Sequence, residues 1–127
     1  MRRIGRPIVL PMALVLLAGA GAAQAQGDPE NGEEVFGTCQ ACHAIDEEKN
    51  GVGPHLVGIF GREAGSVEGY NYSNALKSSE IAWEDDTIAA YVKEPKAYVP
   101  GTKMLPIGLD DEEIADLLAY LHEATGG

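Results

Sequence analysis

The sequence predicts a small all-α domain in which short helices are joined by long loops. Helix signals lie near both ends of the chain, and the period-two alternation typical of strands is nearly absent. Glycine is concentrated between residues 51 and 69, which indicates a loop. With 127 residues, 45% of them hydrophobic, the chain suits one globular domain.

The N-terminus has the features of a secretory signal peptide. Three arginines within the first six residues precede an apolar run over 8–23, and Ala23-Gln24-Ala25 is a cleavage signal. We therefore expect a signal peptide over 1–25, cleaved after Ala25, and a mature periplasmic domain over 26–127. The alternative is an uncleaved leader that anchors the protein, although the apolar run is short for a span of about 20 residues.

The charge of the chain limits its partners. Asp and Glu number 20 against nine Lys and Arg, giving a formal net charge of −11. Loss of residues 1–25 removes three arginines and no acid, so the mature charge becomes −14. Such a chain is repelled by a phosphate backbone, which excludes nucleic acid as a partner. A core of 102 residues is also marginal unless something fills its middle.

Two longer helices are predicted, one at each end of the mature chain. Asp28 is a good N-cap for a first helix that runs to about Cys42. Asp110, with Glu113 three residues later, starts the last helix, which stops at Gly126. The last helix has one apolar face, formed by Ile114, Leu117, Leu118 and Leu121.

Two shorter helices are predicted between them. The first runs from a cap at Ser73 to about Ser78, and the second runs to about Lys93. Either Asp85 or Asp86 caps the second, and a proline two residues after Lys93 ends it. The remaining loops are long enough to need an organiser in a compact domain.

The segment Cys39-Gln40-Ala41-Cys42-His43 indicates what organises these loops. C-x-x-C-H is the attachment motif of c-type haem. Positions i, i+3 and i+4 share one helix face, so both thiols reach the haem vinyl groups while the imidazole reaches the iron. Export fits this interpretation, because bacterial haem attachment occurs outside the cytoplasm.

Other uses of two cysteines fit less well. A thioredoxin-like dithiol needs a preceding strand, and none is predicted before Cys39. A zinc site needs further ligands, usually a second C-x-x-C or a histidine pair. A plain disulfide leaves His43 unexplained.

Met104 is the candidate for the second axial ligand of the iron. Met1 and Met12 lie in the leader, so Met104 is the only methionine of the mature chain. A lone methionine is more often core filler, but this one follows a Pro100-Gly101 turn rather than lying on an apolar helix face. Ligation by His and Met raises the reduction potential, and a thioether favours Fe(II).

The two other histidines have weaker claims to the iron. His55 lies only 12 residues after His43, and we expect it on a surface loop. His122 lies just off the apolar stripe of the last helix and is expected to be solvated or partly packed.

The motifs together resemble a known family. The sequence is similar to class I c-type cytochromes, in the branch of mitochondrial cytochrome c and bacterial cytochromes c2 and c550. Beside the C-x-x-C-H motif, the matching segments are Gly32…Phe36, Gly53-Pro54, Gly58-Ile59-Phe60-Gly61-Arg62, Tyr70-Asn71-Tyr72-Ser73, Ile81-Ala82-Trp83, Tyr91, Pro95, Tyr98-Val99-Pro100-Gly101-Thr102-Lys103-Met104 and Asp116-Leu117-Leu118-Ala119-Tyr120-Leu121. The resemblance covers essentially all of the mature chain.

The resemblance implies a haem-binding role for further residues. The Pro54 carbonyl is expected to accept a hydrogen bond from His43, which orients the ring and raises its basicity. The other implied contacts are Tyr72 and Trp83 as donors to a haem propionate, Arg62 as its charge partner, and Tyr91 and Thr102 as hydrogen-bonding groups on the Met104 side.

The resemblance also implies the cytochrome c fold and its activity. The terminal helices are expected to cross, with Gly32 and Phe36 packed against Leu117 and Tyr120. The protein is then a monomeric one-electron carrier with one covalent haem c, not an enzyme. Its expected partners are membrane-bound and periplasmic redox proteins: a cytochrome bc1-type donor and an oxidase, reductase or reaction-centre acceptor that docks transiently at the haem edge. If Met104 does not bind the iron, a peroxidase-like or gas-binding protein is the alternative.

Three departures from the family pattern stand out. Leu76 replaces an asparagine that many relatives have near the haem. Leu105-Pro106 replaces an apolar residue followed by an aromatic one. Lysines around the haem edge are reduced to Lys96 and Lys103, while other positions of that ring carry Glu34, Thr38, Ala97, Asp110 and Asp111.

Overall fold

The structure, a computed structural model, describes residue 5 and the ranges 7–11 and 27–127. The predicted cleavage site after Ala25 lies outside these residues. The described part contains five helices: α1 (Pro29–Phe36), α2 (Asn74–Lys77), α3 (Asp85–Lys93), α4 (Pro95–Tyr98) and α5 (Asp111–Thr125). Its only β-type pairings are two isolated antiparallel bridges. The predicted all-α class is therefore confirmed.

Helix α1 begins where the sequence predicts and ends earlier. The Asp28 side chain accepts a hydrogen bond from the Glu30 N–H at 2.9 Å, and a proline occupies the first turn. The expected end at Cys42 is wrong, because the regular helix stops at Phe36. The Thr38 hydroxyl competes for the Val35 carbonyl at 2.8 Å, and the backbone bonds here tighten to three-residue spacing.

Helix α5 has both predicted ends. Asp110 and Glu113 form a reciprocal capping box with distances of 2.8 and 2.9 Å. Gly126 closes the helix in the left-handed conformation, at φ 70°. The predicted inner face is correct except at Leu118, which is half-buried, whereas the carboxylate-bearing Asp116 is buried.

The short helices are close to prediction. Ser73 caps α2 by accepting the Leu76 N–H at 3.1 Å. The cap of α3 is Glu84 rather than Asp85 or Asp86. Its N–H is satisfied by the hydroxyl of Thr87, at 2.8 Å, so the helix starts one residue earlier.

The helix α4 was not predicted from the sequence. Pro95 stops α3 but also opens α4, since the first position of a helix needs no N–H. Pro95 is fully buried. The Pro100-Gly101 turn follows as expected.

Helices α1 and α5 cross in close contact. A Cβ atom on Gly32 would lie 1.9 Å from the Asp116 carbonyl oxygen, so only glycine permits this approach. The rings of Phe36 and Tyr120 lie 5.5 Å apart, and the Asp116 carboxylate accepts the Asp28 N–H at 2.7 Å. The predicted crossing of the terminal helices is confirmed.

The end of α5 is attached to two other parts of the molecule. His122, predicted to be solvated or partly packed, is half-buried and stacks on Phe60 with ring centroids 3.9 Å apart. Its Nε2 lies 2.6 Å from the carboxylate of Asp85, and its Nδ1 contacts the carbonyl of Gly127. The contact to Gly127, followed by the one to Asp85, raises the pKa of His122.

No helix in the described ranges, 7–11 and 27–127, is long and apolar enough to cross a membrane. The helices instead surround a core whose buried apolar side chains come from every part of the domain. These include Phe36, Ile59, Leu76, Trp83, Tyr91, Val92, Val99, Ile114, Leu117 and Leu121.

The close crossing can be tested at Gly32. We expect Gly32→Ala to reduce the free energy of unfolding by about 3 kcal/mol, because the new methyl group overlaps the α5 backbone and forces the helices apart. Asn31→Ala, on the exposed side of the same helix, should change it by less than about 0.5 kcal/mol. Urea titration of both variants checks this, and equal effects would contradict the close approach.

Candidate functional site

The segment with the two cysteines lies on tight turns directly after α1. Its main-chain bonds include Cys42 N–H to the Cys39 carbonyl, 3.0 Å, and His43 N–H to the same carbonyl, 2.9 Å. Both cysteines are free thiols, Cys39 buried and Cys42 half-buried. Burial raises the pKa of the Cys39 thiol. A series of turns therefore takes the place of the regular helix that was expected over this segment.

The imidazole of His43 is oriented by its surroundings. Nδ1 lies 2.7 Å from the Pro54 carbonyl oxygen. A carbonyl only accepts, so Nδ1 carries the proton and Nε2 keeps its lone pair. Burial lowers the pKa of His43, which favours the neutral ring that binds metals. A Cβ on Gly53 would lie 2.3 Å from the ring carbon Cε1, so glycine is required for this packing.

The Met104 loop is braced by a buried pair of hydroxyls. The Tyr91 hydroxyl and Thr102 Oγ1 lie 2.5 Å apart, and Thr102 Oγ1 accepts the Met104 N–H at 3.4 Å. Burial raises the pKa of Tyr91, so its hydroxyl remains protonated. Gly101 makes the turn at φ 94°, a conformation that favours glycine. Met104 itself is half-buried and packs against the core.

Two aromatic pairs line the region between these groups. The rings of Trp83 and Tyr91 lie 5.0 Å apart, and those of Tyr70 and Tyr72 lie 4.7 Å apart. The Tyr72 hydroxyl accepts the Val67 N–H at 3.1 Å. A hydroxyl that accepts keeps its own proton to donate, so Tyr72 retains a free donor.

Arg62 carries a donor that has no partner among the described residues. Its Nη1 donates to the Val57 carbonyl at 3.2 Å, whereas Nε is buried and has no partner in the described chain. Burial lowers the pKa of the guanidinium. An unpaired buried charge is costly, so this position calls for an anion. A carboxylate-bearing cofactor supplies one, and the residues therefore fit haem c.

The comparison with known proteins decides the family. The sequence profile described as Cytochrome c matches residues 29–125. This chain belongs to the cytochrome c family. Cytochrome c2 of Blastochloris viridis is 44% identical over 116 residues, which cover 90% of this chain and 91% of the relative. Cytochrome c-550 of Nitrobacter winogradskyi is 50% identical over 99 residues, covering 76% and 91%.

A solved structure supports the same fold for this cytochrome c. Cytochrome cH from Methylobacterium extorquens aligns with a TM-score of 0.70 at 43% identity, covering 76% of this chain and 99% of its own. Cytochromes c bind one covalent haem c, and Cys39 and Cys42 are the two cysteines of the chain. The protein is an electron carrier and not an enzyme.

The ten candidate residues of this cytochrome c form distinct groups. His43 is joined to Pro54, and Tyr91 to Thr102 and Met104, while Trp83 packs on Tyr91. Among the described residues no hydrogen bond joins the His43 group to the Met104 group.

Sequence reasoning missed two residues that order the loops of this cytochrome c. Asn50 makes two side-chain hydrogen bonds, and the Tyr70 hydroxyl donates to the Val52 carbonyl at 2.6 Å. The dipeptide Asn50-Gly51 is a turn signal that identifies the first as a structural residue. The expectation of a surface His55 is wrong: the residue is half-buried, and its buried Nδ1 has no hydrogen-bond partner in the part of the chain that the structure describes.

The hydroxyl pair beside Met104 can be tested by a double-mutant cycle. Thr102→Val and Tyr91→Phe should each lower the free energy of unfolding of the holoprotein by about 1–3 kcal/mol, because each leaves one buried group unsatisfied. The double variant should lose about 1 kcal/mol less than the sum. Ser66→Ala, at an exposed hydroxyl, serves as the control. Strict additivity in denaturant unfolding would show that the two hydroxyls do not interact.

Proposed function

We propose that this cytochrome c is a periplasmic one-electron carrier whose iron is bound by His43 and Met104. The observation that carries the proposal is the 2.7 Å contact between His43 Nδ1 and the Pro54 carbonyl. It commits one ring nitrogen to the protein and leaves Nε2 for the metal. Cys39 lies four residues before His43 and Cys42 one residue before it, the spacing of C-x-x-C-H, and both would hold the haem covalently.

Met104 is proposed as the second ligand of the iron. The Met104 N–H donates to Thr102 Oγ1, and the Tyr91 hydroxyl contacts the same oxygen. These two contacts restrict the backbone at Met104 and therefore the region that its thioether can reach. Because thioether sulfur is soft and favours Fe(II), this ligand suits a carrier of raised potential. When bound, haem c supplies a one-electron Fe(III)/Fe(II) couple.

The remaining candidate residues bind and orient the cofactor. Arg62, whose Nε has no protein partner, is proposed to neutralise a propionate, with donors from Tyr72 and Trp83. Two protein ligands leave the iron no free coordination position, which suits electron transfer and not substrate chemistry.

The location is proposed from the leader. Arginines, an apolar run and an A-x-A signal precede the domain, which favours export and cleavage after Ala25. The maturation of C-x-x-C-H with haem outside the bacterial cytoplasm agrees with this location. Retention of the leader as an anchor is the alternative, and the mass of the purified protein distinguishes the two.

A docking face is proposed from two exposed apolar side chains, Val52 and Leu105. Within residues 27–127 the exposed large hydrophobic side chains are Val52 (76%), Leu105 (72%) and Tyr98 (38%). Val52 lies between Gly53, which packs on His43, and Gly51, next to the Cys42 carbonyl. Leu105 directly follows Met104. Val52 is thus next to the glycine that packs on His43, and Leu105 is next to Met104 in the sequence, and we propose that the two form one face.

Charge indicates the kind of redox partner that the monomeric carrier meets. The mature chain carries 20 acids and six basic residues, so it is attracted to basic or neutral surfaces. A bc1-type donor and an oxidase, reductase or reaction-centre acceptor with such a surface are the proposed partners. Transient complexes of this kind are small.

Removal of the proposed sulfur ligand tests the function directly. Met104→Ala in the periplasmically matured protein should give a high-spin spectrum, a lower reduction potential and rapid binding of carbon monoxide or cyanide, since one iron position becomes open. Leu105→Ala, at the exposed neighbour, should leave the low-spin spectrum unchanged.

An unchanged spectrum in Met104→Ala would refute the ligand assignment. A wild-type protein that is already high-spin and binds added ligand at neutral pH would instead indicate a peroxidase-like or gas-binding protein.

Small charged oxidants can test whether the net negative charge of the protein acts on a redox partner. The rate at which the reduced protein reacts with cationic tris(bipyridine)cobalt(III) should fall as ionic strength rises, and the rate with anionic ferricyanide should rise. Salt screens attraction in the first case and repulsion in the second, over a Debye length of about 10 Å at 0.1 M. Stopped-flow measurements check both slopes. Reversed slopes would show that Lys96 and Lys103 dominate the local field.

A further inference from the structure

We propose that Asn50 is a positioning residue that holds the Pro54 carbonyl against His43 and thereby tunes the reduction potential. The inference rests on the proposed role of His43 as an axial ligand. Among the described residues the Asn50 side chain makes no hydrogen bond to the His43 ring, and it acts through the peptide unit between Pro54 and His55.

The side chain of Asn50 connects separate segments of the loop region. Its Oδ1 accepts the His55 N–H at 3.1 Å, and its Nδ2 donates to the Glu68 carbonyl at 3.2 Å. Its backbone forms an isolated antiparallel bridge with His43. Asn50 therefore connects three parts of the chain: His43, the segment at His55, and the loop at Glu68, which lies 18 residues after Asn50.

The geometry of the peptide bond explains how Asn50 acts on His43. The Pro54 carbonyl and the His55 N–H belong to the same planar unit, and in a trans peptide they point in opposite directions. No cis peptide occurs in the described chain. Asn50 holds this plane at its N–H, and His43 Nδ1 binds it at its carbonyl oxygen. The plane is thus held at both ends.

No backbone hydrogen bond of the described chain holds the Pro54–His55 peptide itself. The Gly53 N–H donates to the Cys42 carbonyl and the Leu56 N–H to the Ala44 carbonyl, each at 2.8 Å, so the chain is fixed only on either side of this peptide. Gly51 and Gly53 lie between Asn50 and Pro54, and glycine has the widest conformational freedom. Residues 51–56 contain no helix or strand. If the Asn50 contact is lost, the peptide plane can rotate and its hydrogen bond to His43 weakens.

A weaker hydrogen bond to His43 has a defined electronic consequence. By accepting a hydrogen bond from Nδ1–H, the Pro54 carbonyl makes the imidazole a stronger electron donor to a metal. A stronger donor stabilises ferric iron more than ferrous iron. Loss of Asn50 is therefore expected to raise the reduction potential and to expose the Nδ1 proton to solvent.

The test compares three variants of the holoprotein. Asn50→Ala removes both side-chain bonds. Asn50→Asp keeps the oxygen that accepts the His55 N–H and loses only the donor to Glu68. Asn71→Ala is the matched control, an exposed loop asparagine whose side chain makes no hydrogen bond among the described residues. Reduction potential and hydrogen exchange of the His43 Nδ1 proton, followed by NMR, are the two readouts.

The expected pattern separates positioning from general loop stability. Asn50→Ala should raise the potential and accelerate Nδ1 exchange by roughly fivefold, the effect of losing one net hydrogen bond. Asn50→Asp should keep exchange within about twofold of the wild type, and its negative charge should not raise the potential. Asn71→Ala should change neither readout.

Two outcomes would overturn the proposal. Asn50→Ala could match Asn71→Ala in both readouts, or Asn50→Asp could accelerate exchange as much as Asn50→Ala does. The wild-type spectrum keeps this test separate from the proposed function: a wild type without low-spin histidine ligation refutes the function, whereas unaltered exchange in a low-spin Asn50→Ala refutes only the positioning role.

Discussion

The hydrogen bond between His43 and the Pro54 carbonyl constrains the loop region of this domain. Its 2.7 Å length brings the chain around Pro54 against the imidazole, and at position 53 only glycine fits, since a Cβ there would lie 2.3 Å from the ring carbon Cε1. The same segment carries Val52 outward and is tied back through Asn50. The position of the loops thus follows from the position of one ring.

Side-chain to backbone hydrogen bonds replace secondary structure across this region. Between α1 and α2 the chain runs without a helix from residue 37 to 73, and backbone groups there need other partners. Asn50, Arg62, Tyr70 and Tyr72 each bond a main-chain group in this stretch. The two terminal helices close the opposite side, where Gly32 permits contact with α5. The terminal helices and the loop region are thus fixed by different kinds of contact.

How far the sequence predicts this arrangement depends on the range of each interaction. The caps at Asp28, Ser73 and Asp110 were predictable because both partners lie within three residues. The early end of α1 was not, since the Thr38 hydroxyl competes with the helix in a way that propensity does not show. Asn50 escaped notice for a different reason: its partner carbonyl lies 18 residues away. His43 was accessible to sequence reasoning because the C-x-x-C-H spacing itself carries the chemistry, and Met104 because it is the only methionine after the predicted leader.

The unpartnered donor of Arg62 connects the fold to its cofactor. The Nε of the half-buried Arg62 has no acceptor among the described residues, and a buried donor without an acceptor is costly. The acids of the described chain lie mostly on exposed surface, as at Glu34 and Asp111, and the carboxylate of the buried Asp116 is occupied by the Asp28 N–H. An anionic cofactor is therefore the group that we propose beside Arg62. The same distribution leaves the exterior acidic, which is why we propose a redox partner with a basic or neutral surface.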